Sequence, residues 1–304
     1  MSQNALDAGT WWRLIALSAL WGGSFFFVGV ALRDLPPLTI LCARTILGAI
    51  LLLPILIWSG KGLPRRVRDW VPLAGMGLLN NVVPMSLIFF GQTTISSGLA
   101  SVLNATTPLF TTLVLAAAGD EPLTARRLAG VLCGVAGVGL LQAPRLVHPA
   151  GLPSGVWLCL AAAFSYGLAA LWARRRLSDV PPLVAAAGQL TASSIAMTLL
   201  ASILDRPWTL PMPTLATWLA LLGLGVLSTA MAYVLFFQII ARSGPANVML
   251  VTLLVPVPAV LLGHGVLGEH FEANEMAGAA VIAAALIIID GRLVAWLRER
   301  WQPA

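Results

Sequence analysis

The sequence predicts an all-α membrane protein of ten transmembrane helices, set as two inverted five-helix repeats around a central cavity. Three observations predict it. Hydrophobic residues make up 59% of the 304-residue chain and charged residues 10%, with mean hydropathy +0.90. A soluble domain carries about 25% charged residues, so this chain cannot cover a water-facing surface. Apolar runs near the ~20 residues that cross the hydrocarbon recur along the chain. The phrase Asp34-Leu35-Pro36-Pro37-Leu38 returns 145 residues later as Asp179-Val180-Pro181-Pro182-Leu183.

The first run, 11–32, stops at Arg33-Asp34. The second, 36–58, opens on Pro36-Pro37 and stops before Gly60-Lys61. The third, 70–91, follows the basic stretch Arg65-Arg66-Val67-Arg68, and the fourth, 96–118, stops at Gly119-Asp120-Glu121. The fifth, 125–143, begins at Arg126-Arg127 and ends before Pro144-Arg145. The sixth, 153–174, runs into Arg174-Arg175-Arg176, and the seventh, 182–204, lies between Pro181 and Asp205-Arg206. The eighth, 214–238, ends before Arg242; the ninth, 245–267, ends at Gly268-Glu269; the tenth, 273–294, follows Glu272. Period-two alternation is absent, which argues against a membrane β-barrel.

Basic residues orient the runs. With the N-terminus inside, Arg13, Lys61, Arg65, Arg66, Arg68, Arg126, Arg127, Arg174, Arg175, Arg176, Arg242, Arg292, Arg298 and Arg300 are cytoplasmic, against Arg33, Arg145 and Arg206 outside. Fourteen against three is the positive-inside pattern, with both termini cytoplasmic. The net charge of +6 reports this topology and no nucleic-acid footprint, because the charges sit in short loops. Cys42, Cys133 and Cys159 all fall inside runs, so neither a disulfide framework nor a zinc site is expected. No cleavable signal peptide is evident.

The repeated phrase has company. The same 145-residue offset places Trp21-Gly22 on Tyr166-Gly167 and Arg44 on Gln189. An offset of 148 places Trp70 on Trp218, Gly75 on Gly223, Gly77 on Gly225, Pro108 on Pro256, Glu121 on Glu269 and Ala129-Gly130 on Ala277-Gly278. Residues 1–145 and 146–304 thus read as two copies of one unit, the second with a short C-terminal tail. Five helices per copy is odd, so the copies sit upside down to each other. Each phrase is a tight reversal between antiparallel helices, its Pro in the first turn of the next helix and its Asp positioned to cap that helix. Inverted repeats characterise secondary transporters, whose halves exchange conformations around a central site; the bland alternative is duplication that merely built a stable body.

Most tryptophans mark run ends (Trp11, Trp12, Trp58, Trp70, Trp157, Trp208, Trp218 and Trp296), as an interfacial belt does. Trp21 lies mid-run, as do both tyrosines, Tyr166 and Tyr233; the repeat partner of Tyr233 is Met85. Beside them lie Asn80 and Asn81, whose partners are Ser228 and Thr229. Unsatisfied amides in hydrocarbon cost several kcal/mol, so these must face another helix or a wet cavity. Trp21, Ser24, Phe25 and Val28 share a helix face, and Asn81–Met85 and Thr229–Tyr233 are each four apart. These residues read as the wall of a substrate cavity. The competing reading is interhelical packing, which weighs evenly for Ser24 and Ser228. Pro108 and Pro256, on runs that also carry Asn104, Thr106, Thr107, Asn247, Thr252 and Pro258, are candidate gate hinges or static kinks. Gly130, Gly134, Gly137 and Gly278 suit close contact of the fifth and tenth runs within one chain, so a monomer is expected rather than a dimer. Arg44 has no carboxylate at matching depth; it reads first as bonded to backbone carbonyls or the interface, and otherwise as a contact for a substrate carboxylate. His264, near a run end beside Glu269, reads as structural.

No acid sits mid-membrane, so the site suits a small neutral or zwitterionic solute better than a lipophilic cation. No P-loop, H-E-x-x-H or G-x-S-x-G motif occurs. No enzyme activity and no cofactor are therefore expected. The partners are a small-molecule substrate and membrane lipid.

The stretches "LWGGSFFFVG", mid-run Arg44 and "GDEPLTARRLAGVLCGVAGVGLL", echoed by "LGEHFEANEMAGAAVIAAALIII", resemble an EamA-type repeat, and together they cover nearly the whole chain. This is the drug/metabolite transporter superfamily. The resemblance implies a ten-helix basket, a cavity lined by helices 1, 3, 4, 6, 8 and 9, alternating access and metabolite export across a bacterial inner membrane. Within it the chain is most similar to YddG-like exporters of aromatic amino acids and methionine. The expectation is export of small neutral metabolites, amino acids foremost (aromatic, methionine, threonine). The alternatives are a carrier of drugs, nucleobases or sugar derivatives, and a non-transporting scaffold or sensor.

Overall fold

The structure, a computed structural model, describes residues 8–143, 152–243 and 250–291. Among them are ten helices and no strand: α1 (Ala8–Ala31), α2 (Pro37–Trp58), α3 (Val67–Gly91), α4 (Ser97–Ala117), α5 (Ala125–Leu141), α6 (Ser154–Arg176), α7 (Pro182–Leu204), α8 (Leu215–Ser243), α9 (Val251–Leu267) and α10 (Ala273–Asp290). Eight of them are long and apolar enough to cross a membrane; α9 is a shorter apolar helix and α5 has 17 residues. The expected runs fall on these helices. The eighth helix continues to Ser243, past the expected end at 238. Arg145, Asn247, Arg292, Trp296, Arg298 and Arg300 lie outside the described residues.

Helix starts follow local chemistry. Ser96, Thr124 and Thr214 each accept a hydrogen bond from the third following backbone N–H, at the heads of α4, α5 and α8. Pro37 and Pro182 occupy the first turns of α2 and α7. The expected capping of α2 by Asp34 does not occur. The residue before α2 is Pro36, with no side-chain cap, and Asp34 reaches across the bundle instead. Its Oδ2 accepts from Thr214 N at 2.8 Å, Thr214 Oγ1 at 2.6 Å and Thr217 Oγ1 at 2.7 Å, closing the head of α8. The head of α2 is closed by Asp205 from the end of α7, through Thr39 N and Oγ1 at 2.8 and 2.9 Å. Glu269 does the same for α4, through Ser97 N, Ser97 Oγ and Gly98 N. At the opposite end of the bundle, Arg175 pairs with Asp120 at 2.6 Å, and Glu121 with Arg174 and Arg127 at 2.7 and 2.8 Å.

Two features bend the helices around the interior. Proline lacks an N–H, so the carbonyl four residues back is freed. Pro108 frees the Asn104 carbonyl, which Thr107 Oγ1 takes up at 2.7 Å, and α4 breaks at 105–106. The break in α9 falls at Val255, before Pro256. π-helical turns occupy Leu78–Val82 in α3 and Gly223–Met231 in α8.

Side chains divide between core and lipid. Apolar residues such as Leu132 and Val135 on α5, and Ile195, Leu199 and Ile203 on α7, are about 60% exposed, which is the surface a bilayer covers. Most belt tryptophans, Trp58 and Trp208 among them, are exposed at helix ends. Inside, α2 packs on α7, α3 and α4 on α6, α1 on α9, and α5 on α10. The last contact depends on glycine: a Cβ on Gly137 would sit 2.9 Å from Ile282 Cγ1 and 3.1 Å from the Gly278 carbonyl.

Candidate functional site

The helices enclose a cavity of about 240 Å³. From α1 come Trp21, Ser24 and Phe25; from α2, Arg44; from α3, Asn80, Met85, Ile88, Phe89 and Gln92. From α4 come Ser101, Asn104, Ala105 and Thr107; from α6, Tyr166; from α9, Thr252 and Val255. No Asp or Glu lines it. Pockets for drug-sized ligands run from about 300 Å³ upward, so this cavity suits a smaller solute.

Arg44 is its dominant charge. It is 7% exposed and starts about 10 Å into α2, at 1.5 Å per residue. Nη1 donates to Ser24 Oγ at 2.8 Å and Nε to Thr229 Oγ1 at 3.2 Å. Both partners are neutral hydroxyls, and Arg44 has no carboxylate partner among the described residues. The reading of Arg44 as bonded to backbone carbonyls or to the interface does not match this geometry.

A second polar chain runs parallel. Asn80 Nδ2 donates to Gln189 Oε1 at 3.2 Å, and Gln189 Nε2 to Tyr233 Oη at 3.3 Å. Arg44 therefore joins α2 to α1 and α8, while Gln189 joins α7 to α3 and α8. Tyr233 lies beside Phe236 and Phe237, with ring centroids 6.4 and 6.0 Å away, and Phe236 lies 5.8 Å from Trp21.

Of the residues expected in the wall, Trp21, Ser24, Phe25, Arg44, Asn80, Met85 and Tyr166 come together around the cavity. Asn81, Ser228, Thr229 and Tyr233 do not line it. Asn81 is 1% exposed, its Nδ2 on Ser193 Oγ of α7 at 3.2 Å. Ser228 Oγ donates to the Leu20 carbonyl of α1 at 2.7 Å. Thr229 Oγ1 donates to the Leu224 carbonyl five residues back while accepting from Arg44. The π-turn explains the exchange of Asn81 for Asn80: its wider turn rotates later residues, so residues five apart, 80 and 85, share the cavity face. Pro108 and Pro256 sit just past the breaks at the cavity wall, and Pro256 itself lines an apolar cleft between α9 and α10. The lining includes no α8 residue, whereas the family resemblance implied that helix and not α2.

Sequence reasoning missed Gln92, Ile88, Phe89 and Ser101, and gave Asn104 no binding role. A signal was present. Met85, Ile88, Phe89 and Gln92 follow the same i, i+3, i+4, i+7 spacing as Trp21, Ser24, Phe25 and Val28.

Residues 10–142 and 153–290 each match the EamA-like transporter family. The chain belongs to that family. It is 28% identical over 279 residues to the "Uncharacterized inner membrane transporter YedA" of Escherichia coli, covering 91% of this chain and 89% of that one. It is 24% identical over 276 residues to the "Uncharacterized transporter YoaV" of Bacillus subtilis, covering 90% and 94%. It is 28% identical over 286 residues to a "Probable amino-acid metabolite efflux pump" of Salmonella typhimurium, covering 88% and 90%. A solved crystal structure matches with TM-score 0.67 at 20% identity, covering 96% of this chain and 99% of that one, a likeness of fold. The protein is a multi-pass membrane transporter of the EamA kind.

Proposed function

We propose that this EamA transporter exports small carboxylate-bearing metabolites, amino acids foremost, by alternating access. The observation that carries the reading is Arg44: a buried guanidinium on a cavity wall, held by two neutral hydroxyls with no acid to neutralise it among the described residues. A charge left so in low dielectric is costly, and a substrate carboxylate would supply the missing partner. The rest of the wall, Trp21, Phe25, Met85, Ile88, Phe89 and Val255, suits an apolar side chain. The Salmonella relative's name points the same way.

Alternating access rests on the two-copy reading of residues 1–145 and 146–304. It is supported by the two separate family matches and by the breaks before Pro108 and Pro256, which lie 148 residues apart. With the basic residues facing the cytoplasm, both termini are cytoplasmic, and Asp34, Asp205 and Glu269 clamp the outer face. One chain is the transporting unit, a reading supported by the use of the α5 and α10 glycine faces within the chain.

Uptake of labelled methionine, phenylalanine and threonine into liposomes holding the purified protein tests this, with and without a proton gradient. We expect saturable flux that Arg44→Gln lowers about 10- to 100-fold, the worth of a hydrogen bond to a charged group. Folded protein that moves no amino acid, or an Arg44→Gln variant as active as the parent, would overturn the reading.

A further inference from the structure

A carboxylate partner accounts for one pole of the cavity. The opposite polarity is also present. Gln92, at the end of α3, donates Nε2 to the Phe25 carbonyl at 2.9 Å. A carbonyl can only accept, so this bond sets the orientation of the amide and leaves Oε1 pointing away. That oxygen is buried and has no donor. Asn104, the last residue before the break in α4, has a buried Oδ1 with no donor among the described residues. Both residues line the cavity that Arg44 lines. Buried acceptors are rarely left unpaired, because the desolvation cost is not recovered.

The two poles are held on one stretch of α1. Arg44 hangs on the Ser24 hydroxyl and Gln92 on the carbonyl of the next residue, Phe25. Adjacent residues on a helix rise about 1.5 Å, so donor pole and acceptor pole are anchored at nearly the same depth. Asn104 is seven residues into α4 and Arg44 seven into α2, from the same end of the bundle. The cavity wall thus brings together N–H donors from one side chain and two amide side chains whose oxygens have no donor among the described residues. No Asp or Glu is in the wall, so a cation there would meet neutral acceptors, and among the amides of the wall Gln92 and Asn104 have oxygens that are buried without a donor.

We infer that Gln92 and Asn104 form an ammonium subsite, and that the substrate is a zwitterion whose carboxylate meets Arg44 and whose α-ammonium meets Gln92 Oε1 and Asn104 Oδ1. The inference rests on the amino-acid reading and deepens it. It selects α-amino acids over simple carboxylic acids. A deaminated substrate leaves both oxygens unpaired, whereas the ammonium has three donors to give. The Trp21 and Tyr166 rings of the same wall add faces that attract a cation.

Calorimetric binding to the full-length detergent-solubilised protein tests the subsite. The probes are methionine and the carboxylic acid made by removing its amino group. Methionine should bind about tenfold tighter or better than the acid. Asn104→Leu and Gln92→Met should each reduce that preference to within about twofold, by weakening methionine more than the acid. Asn104→Leu removes a buried amide oxygen without a donor, so its melting temperature should not fall, which separates the subsite from a structural role. A parent protein that binds the acid as tightly as methionine would overturn the subsite and leave the carboxylate reading standing. So would variants that lose both ligands equally. A folded parent protein that binds neither would overturn both.

Discussion

Arg44, Gln189 and Tyr233 form the polar centre, yet they divide into different tasks. Arg44 lines the cavity, while Gln189 and Tyr233 brace the Asn80 side chain that does. Arg44→Lys keeps the charge but loses the planar fork, so substrate KM should rise about tenfold in the liposome assay. Tyr233→Phe removes one neutral hydrogen bond. It should cost about 0.5–1.5 kcal/mol of stability and change methionine affinity less than Arg44→Lys does, read by thermal denaturation and calorimetry. Asn81→Ala should behave likewise, because the Asn81 amide meets Ser193 rather than the cavity. That Arg44, Trp21 and Tyr166 lie mid-membrane was legible from position along the runs. Which of two adjacent asparagines faces inward was not, because a π-turn shifts the phase without a signature in composition.

The helices carry two further expectations. In α4, Pro108 keeps the Asn104 carbonyl free and the helix broken beside the cavity. Pro108→Ala restores the N–H and a continuous helix. The variant should be at least as stable as the parent but turn over about tenfold more slowly, if the break moves during transport. Stopped-flow uptake beside a melting curve checks both. In α8, the Thr214 and Thr217 hydroxyls, with the Thr214 N–H, hold the Asp34 carboxyl below its ordinary value of 3.8. A depressed carboxyl stabilises the fold above its unfolded pKa and loses that contribution as pH falls through the folded value. The parent should therefore melt higher than Asp34→Asn at about pH 6, and the difference should shrink as pH falls below the ordinary value of 3.8. Asp34 also shows the limit of local reasoning. The Asp-Leu-Pro-Pro-Leu phrase places an Asp before a helix, but the Thr214 N–H and the Thr214 and Thr217 hydroxyls it satisfies belong to the head of α8, far away in sequence.

Taken whole, the molecule is clamped differently at its two ends. Three carboxylates close helix heads at one end, while arginine–carboxylate pairs tie α4, α5 and α6 at the other. The arginine pairs are exposed, so each is worth little on its own. Cysteines placed at Arg33 and Lys61, in a background lacking Cys42, Cys133 and Cys159, test the orientation. A membrane-impermeant thiol reagent applied to intact cells should label the first and spare the second; the reverse labelling would invert the topology. In the body of the bundle, Gly137→Leu should drive α5 off α10 and cost about 1–3 kcal/mol, read as a lowered melting temperature.

The ten helices were legible in the chain because crossing hydrocarbon imposes length and apolarity on each helix separately, whatever its neighbours. The prolines and Arg44 within its helix were legible for the same reason: each is a property of one segment. The neighbours of each segment were not. Gln92 joins the wall because its side chain turns back to Phe25, α2 replaces α8 in the lining because Arg44 reaches Ser24, and Asp34 serves a helix in the other half of the chain. These depend on which helices pack together and at what rotation. Packing sets that through many small contacts spread over the whole bundle, and no short stretch of sequence records them.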